Sequence, residues 1–351
     1  MSTADSIVVT ITDDDDFVVE RPQLTLDDQL DGECYDARWL SDNTPEPREW
    51  LIKPILPAEE LCAISGAPGS GKTYLAIMLG LAAVRGQFNG MPCKKAKVMY
   101  VTREESRAEI HRRIKIQTEG RGESIPDGFY LQTLEQQTHT WLHKDDSLSM
   151  FGEAIFAQAE RRGVELLIFE MLPDFFGGSE IDRQQVNSFF KGVVAPRAKR
   201  AGCACLFLMH PSVAGLAEGS GRSGSTANFG SLRSVLFQRQ TDAGIAVKLV
   251  KSNYAQHSQE ICTLVWNDVL RGFDIGEALP PEAKKPQGGN QSQIFDALPE
   301  DGGWISQQKV RGDLGMKSDR FNDARQGLIR RGCIEVSRDG KQFRRATNAP
   351  E

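Results

Sequence analysis

Apolar positions along this chain fall into short runs separated by stretches with helical spacing. Leu61-Cys-Ala-Ile-Ser65 is a short apolar run, and Tyr74-Leu-Ala-Ile-Met-Leu-Gly-Leu-Ala-Ala-Val84 after it has the spacing and composition of a helix. Lys97-Val-Met-Tyr-Val-Thr102, Phe129-Tyr-Leu-Gln-Thr133, Val164-Glu-Leu-Leu-Ile-Phe-Glu170 and Ala204-Cys-Leu-Phe-Leu-Met209 read as strands, with helices at 106–114, 149–162 and 183–200 between them. Apolar runs alternating with helical segments are the pattern of a sheet covered by helices. Segments 231–237, 245–251 and 261–266 then close the sheet. The fold class predicted is α/β, with a largely parallel central sheet.

The pattern changes after Pro280-Pro-Glu-Ala-Lys-Lys-Pro-Gln-Gly-Gly289, whose proline and glycine mark a boundary. Helices are predicted at 292–298, 306–314 and 318–331, followed by a hairpin over 333–345 that turns at Asp339-Gly340, a strong hairpin signal. Three helices and a basic hairpin match a winged helix. The domains are therefore an acidic, mostly disordered arm over 1–45, a core over 46–278, a linker over 279–290 and a winged-helix-like domain over 291–347.

Composition adds a charge asymmetry. The 351 residues carry a net charge of −6, but residues 1–50 hold fourteen acidic side chains against three arginines, and residues 305–347 hold eleven basic against five acidic. A basic end of this kind calls for a polyanion partner. The acidic arm is a candidate shield for that surface, although a solvated tail is the plainer reading. No apolar run approaches the roughly 20 residues that span a bilayer, and the first residues lack a signal pattern, so a cytoplasmic protein with no membrane association is expected. Seven cysteines without C-x-x-C spacing argue for reduced thiols rather than a disulfide framework or a zinc site.

The chemistry concentrates at Gly66-Ala67-Pro68-Gly69-Ser70-Gly71-Lys72-Thr73, which fits G-x-x-x-x-G-K-[ST] at every fixed position and lies between a strand and a helix. In such a loop backbone N–H groups curl around a β-phosphate, Lys72 reaches the β- and γ-phosphates, and Thr73 ligates Mg²⁺. Glu104 and Glu105 follow the next strand, where residues face the ligand crevice, so either can orient an attacking water; both also suit a helix first turn. Glu170 ends a strand in the position from which P-loop ATPases hold Mg²⁺ with an acid, usually Asp, and Asp174 is a substitute four residues on. His210 ends a further strand and is placed to sense nucleotide state. Gly215-Leu-Ala-Glu-Gly-Ser-Gly-Arg-Ser-Gly-Ser-Thr226 cannot form a stable helix and offers Arg222, Ser223 and backbone N–H groups to a single-strand phosphate backbone. Arg233, Arg239 and Lys251 are cations for a γ-phosphate. In the last domain the third helix suits a major groove, with Arg338, Lys341, Arg344 and Arg345 along phosphates.

In order, the P-loop, Val-Met-Tyr-Val-Thr-Arg-Glu-Glu, Leu-Leu-Ile-Phe-Glu-Met-Leu-Pro-Asp-Phe-Phe-Gly-Gly, Met-His-Pro, Gly-Ser-Gly-Arg-Ser-Gly-Ser-Thr-Ala and Lys-Ser-Asn-Tyr resemble the RecA-like AAA family ATPases of the plasmid replicative hexameric helicase type, which phages also encode. The likeness covers about residues 50–275. It implies a RecA-type core, hexameric rings of identical subunits with ATP and Mg²⁺ at their interfaces, and single-stranded DNA in the channel. By position, Glu104 matches the catalytic glutamate, Glu170 the metal-site acid, His210 the sensor, and Arg233 or Lys251 the finger that completes a neighbour's site. The function implied is an ATP-dependent DNA motor; the alternative is an ATP-switched DNA-binding initiator or regulator that does not unwind. A nucleotide kinase shares the P-loop, but the long Gly/Ser segment and the basic tail count against it.

Overall fold

The computed structural model describes residues 8–11, 17–20, 34–135, 148–176, 178, 182–217, 219–222, 226–256, 259–278, 289–330 and 333–346. The chain divides into two compact units, Met1–Arg48 and Glu49–Glu351. In the first, strands Val8–Ile11 and Phe17–Glu20 pair antiparallel, and Asp36 caps the short helix Ala37–Asp42 by accepting from the Trp39 N–H at 2.7 Å.

The second unit is built on nine strands: β1 (Leu61–Gly66), β2 (Lys97–Thr102), β3 (Phe129–Thr133), β4 (Val164–Glu170), β5 (Ala204–Met209), β6 (Ser234–Thr241), β7 (Gly244–Ser252), β8 (Gln259–Asn267) and β9 (Gly272–Gly276). Their order in the sheet is β9-β8-β7-β6-β1-β5-β4-β2-β3. From β3 across to β6 every pair is parallel, and β7, β8 and β9 continue antiparallel. All six residues of β1 are buried, because helices and loops cover both sheet faces; such a strand reads as a continuous apolar run rather than an alternation. Cys62 and Ile64 pack on the face shared with α1 (Lys72–Arg85), and Leu61 and Ala63 on the other. Helix α1 is buried from Leu75 to Val84. Gly80 lets it approach the sheet closely, since a Cβ there would stand 2.8 Å from the Phe129 ring.

Helices α2 (Arg107–Gln117) and α3 (Met150–Arg162) lie where the spacing predicts them. A short α4 (Leu172–Phe176) follows β4; after it Gly177 and residues 179–181 lie outside the described residues. The helix predicted over 183–200 is helical throughout, with a π-helical middle at Ser188–Val194 between Arg183–Asn187 and Ala195–Arg200.

Two expectations need correction. The glycine/serine stretch is not wholly irregular, because helical turns Val213–Ala217 and Thr226–Ser231 occupy its two ends. Its turn is held by backbone contacts and by serine hydroxyls: Arg222 O accepts from Ser212 N at 2.7 Å and Ser212 Oγ at 3.1 Å, and Gly215 O accepts from Ser220 N at 3.0 Å. A Cβ on Gly215 would stand 2.1 Å from Arg222 O, so glycine is what lets the turn close. The strand expected from 231 starts three residues later, after Thr226–Ser231 has ended.

At the carboxyl end, α5 (Asn290–Asp296), β10 (Ile305–Ser306), α6 (Gln307–Asp313), α7 (Ser318–Arg330), β11 (Ile334–Val336) and β12 (Gln342–Arg345) enclose a separate core that includes Ile294, Val310, Phe321, Leu328 and Phe343. The three strands form one antiparallel sheet in the order β10-β12-β11.

Candidate active site

Strand β1 ends at Gly66 and α1 begins at Lys72, so residues 67–71 must reverse the chain. Gly69 and Gly71 do this with φ of +72° and +76°, a region costly for any residue with a Cβ. The curl brings the first N–H groups of a fourteen-residue helix, which have no intrahelical acceptors, around one concavity. Lys72 Nζ bends back over it, donating to Gly66 O and Ala67 O at 3.0 Å each. Burial lowers the Lys72 pKa, opposed by the charges of Glu104 and Glu170.

At the mouth of that concavity Thr73 Oγ1 donates to Glu170 Oε1. Glu170 is 1% exposed, and its Oε2 has no hydrogen-bond partner. Burial raises its pKa; the hydroxyls of Thr73, Tyr100 and Thr102 pull the other way, although the Tyr100 hydroxyl, close as it is, makes no well-aligned bond. A hydroxyl and a half-satisfied buried carboxylate beside a phosphate cradle fit Mg²⁺, which is usually held by one or two carboxylates together with substrate phosphates. Among the described residues no group of three or more His, Cys, Asp or Glu side chains could hold a metal by itself, so the phosphates would have to supply the other ligands. Asp174 is turned elsewhere, its Oδ2 accepting from Met171 N at 3.4 Å.

The two glutamates after β2 have different surroundings. Glu105 Oε1 is 2.7 Å from the Arg113 guanidinium, in an ion pair. Glu104 is exposed to the cleft and couples electrostatically to Lys72, Glu170 and His210. His210 Nδ1 lies 3.4 Å from Lys72 Nζ and 3.3 Å from Gly66 O. Burial, and after it the Lys72 charge, lower the imidazole pKa, which favours the neutral ring.

The P-loop, Glu104, Glu105, Arg113 and His210 line one cleft of about 410 Å³. Its remaining wall was not foreseen from the sequence. Tyr74 on α1, Trp266 on β8 and Phe273 on β9 meet there edge to face, with ring centroids 5.1 to 6.5 Å apart. The Arg113 guanidinium lies 5.5 Å from the Tyr74 ring centroid. Phe273 is fixed from behind, its carbonyl accepting from Gln117 at 3.2 Å and from Arg121 at 2.6 Å. An aromatic corner beside a phosphate cradle offers a π-face to a nucleotide base.

Of the remaining candidates, Arg233 and Lys251 lie at the other end of β1 from this cleft. Register places Ser234 beside Cys62 and Val235 beside Lys251, at the start of β1, whereas the P-loop leaves its end. Four residues of strand, about 13 Å, separate Cys62 from Gly66. Arg233 is 44% exposed and lies 3.5 Å from Glu60 Oε2. Lys251 Nζ is held by the carbonyls of Phe229, Gly230 and Leu232. Arg239 lies on β6 toward the P-loop end. Arg222 is exposed, and Ser223 lies outside the described residues. Arg338 and Lys341 are exposed at the β11–β12 turn, whereas Arg344 pairs with Glu335 at 2.7 Å and covers the Trp304 ring. No described helix is long and apolar enough to cross a membrane.

Residues 27–215 match the sequence pattern of the AAA domain. The match ends before β6 to β9 and the carboxyl-terminal elements. No individual curated protein matches the chain.

Proposed function

The chain belongs to the AAA-domain family, and we propose on that premise that its ATPase core drives movement along single-stranded DNA, as a ring of identical subunits of the hexameric replicative helicase type. ATP would lie with its phosphates in the curl of residues 66–73 and its base against Tyr74, Trp266 and Phe273. Lys72 neutralises phosphate charge; Thr73 and Glu170 would hold Mg²⁺, whose chemistry is to polarise the phosphoryl oxygens. Glu104 aligns the attacking water. His210 sits near the γ-phosphate position and passes its placement to the segment that follows.

One observation carries the reading. Arg233 lies beside Leu61 and Lys251 level with Ala63, five and three strand residues, about 16 and 10 Å, from Gly66, so a phosphate they reach belongs to another copy. Arg233, exposed and loosely paired, is the better trans finger. Segment 211–231 joins His210, beside the P-loop, to Leu232 and Arg233 at the opposite end of β1. That path suits a strand-binding loop moved by hydrolysis. The carboxyl-terminal elements have the order helix, strand, helix, helix, hairpin, which supports a winged helix contacting duplex DNA through Arg338 and Lys341. The finer likeness to the plasmid replicative helicase RepA rests on the ordered motifs alone.

Displacement of a labelled strand from a forked duplex, with ATP and Mg²⁺, tests this function. Displacement that stops in Lys72→Ala is expected. A second reading, an ATP-switched DNA-binding assembly protein, is favoured by Glu170 in place of the usual Asp and by Arg222 as the one cation in 211–222. Nucleotide-dependent DNA binding without displacement would select it.

A further inference from the structure

The described residues at both ends of segment 211–231 are held in place, and what holds the far end is a residue that motif order assigns to a phosphate. At the near end His210 contacts the P-loop. At the far end Lys251 Nζ donates to Phe229 O, lies 2.5 Å from Leu232 O and 3.5 Å from Gly230 O. An ammonium has three protons to give, and three backbone carbonyls at the end of the Thr226–Ser231 turn receive them. The same Nζ lies 5.4 Å from the Phe229 ring centroid, and the Arg222 guanidinium lies 5.8 Å from that ring. The Phe229 ring thus has Arg222 of the segment and Lys251 of β7 both within reach.

We infer that Lys251 and Phe229 are positioning residues, which fasten the strand-facing segment to the sheet and tie the placement of Arg222 to that of Lys251. The inference rests on the strand-binding reading of this segment. A neighbour's phosphate that recruits the Lys251 ammonium must take it from these carbonyls, and doing so frees the segment's end. A DNA phosphate that draws Arg222 off Phe229 removes one of the two cations held at that ring. Nucleotide and strand therefore each loosen the same fastening, through different cations.

Trypsin cleavage after Arg222, in the full chain without nucleotide, reports the fastening directly. Lys251→Met is expected to speed cleavage about tenfold, the lower end for losing charge-assisted bonds to an opening segment. Phe229→Leu is expected to speed it about threefold, the scale of one exposed cation–π contact. Lys251→Arg, which keeps a charged donor, should restore most of the protection. Equal rates in wild type and Lys251→Met overturn the inference. So does a rise of the same size at the exposed Arg338 in the carboxyl-terminal turn, since that would report general loosening. Adding oligodeoxythymidine to the wild type separates the two claims: failure to protect Arg222, with the Lys251→Met effect intact, overturns the strand-binding reading and leaves the fastening in place.

Discussion

Trp266→Ala removes one wall of the aromatic corner while leaving the phosphate cradle untouched. Trp266 is 47% exposed, so its loss opens no core cavity, and its contacts with Tyr74 and Phe273 are edge-on at 6.5 and 5.1 Å. Truncating an aromatic that stacks on a base costs about 1–3 kcal/mol. At about 1.4 kcal/mol per tenfold, the Kd for ATP should rise roughly 5- to 150-fold. Inorganic tripolyphosphate, which has no base, should bind the variant as it binds the wild type. Competition against a fluorescent nucleotide measures both, and Trp266→Phe should recover most of the ATP affinity. Equal weakening of ATP and tripolyphosphate would refute the base-stacking argument, as would ATP binding that does not change.

Glu170 gives a pH dependence. Burial raises its pKa above the unfolded carboxyl value of about 4.3. As pH rises past that value the unfolded chain releases this proton first, so the group's stabilising contribution is full below it and is lost up to the raised folded pKa. Glu170→Gln should therefore gain melting temperature relative to wild type as pH increases through this window, and should lose the added stability that Mg²⁺ with ATP gives; thermal scans from pH 4 to 8 check both. Gly80→Leu drives a side chain into Phe129, Ile168 and Val98, and should cost about 1–3 kcal/mol in denaturant unfolding. Replacing Arg338 and Lys341 together with Ala should reduce the salt dependence of duplex binding by about two counterions without changing sequence preference.

The parallel half of the sheet was legible because its strands are covered on both faces and read as apolar runs, and the P-loop because its glycines and Lys72 have fixed spacing. Strand β9 was not: Gly272-Phe-Asp-Ile-Gly276 has glycine at both ends and a carboxylate inside, and it is stabilised by pairing with β8 rather than by its own composition. Missing β9 meant missing Phe273, and with it the aromatic corner. Tyr74 directly after Thr73 was the available hint, but an aromatic at the start of an apolar helix reads as core. Proximity decided the glutamates. Local residue chemistry leaves Glu104 and Glu105 open and motif position favours Glu104; in the structure the Arg113 ion pair engages Glu105, whereas Glu104 is exposed to the cleft. The fate of Lys251 likewise depends on carbonyls some twenty residues earlier in the chain.

ATP turnover by the purified protein, with and without single-stranded DNA and beside Lys72→Ala and Glu104→Gln, tests the motor reading most directly. Turnover strongly stimulated by DNA in the wild type and lost in both variants is expected, with Glu104→Gln slowed by about 10² or more. Negligible turnover in all three, with ATP binding intact except in Lys72→Ala, would contradict a motor and leave a nucleotide-switched DNA-binding protein.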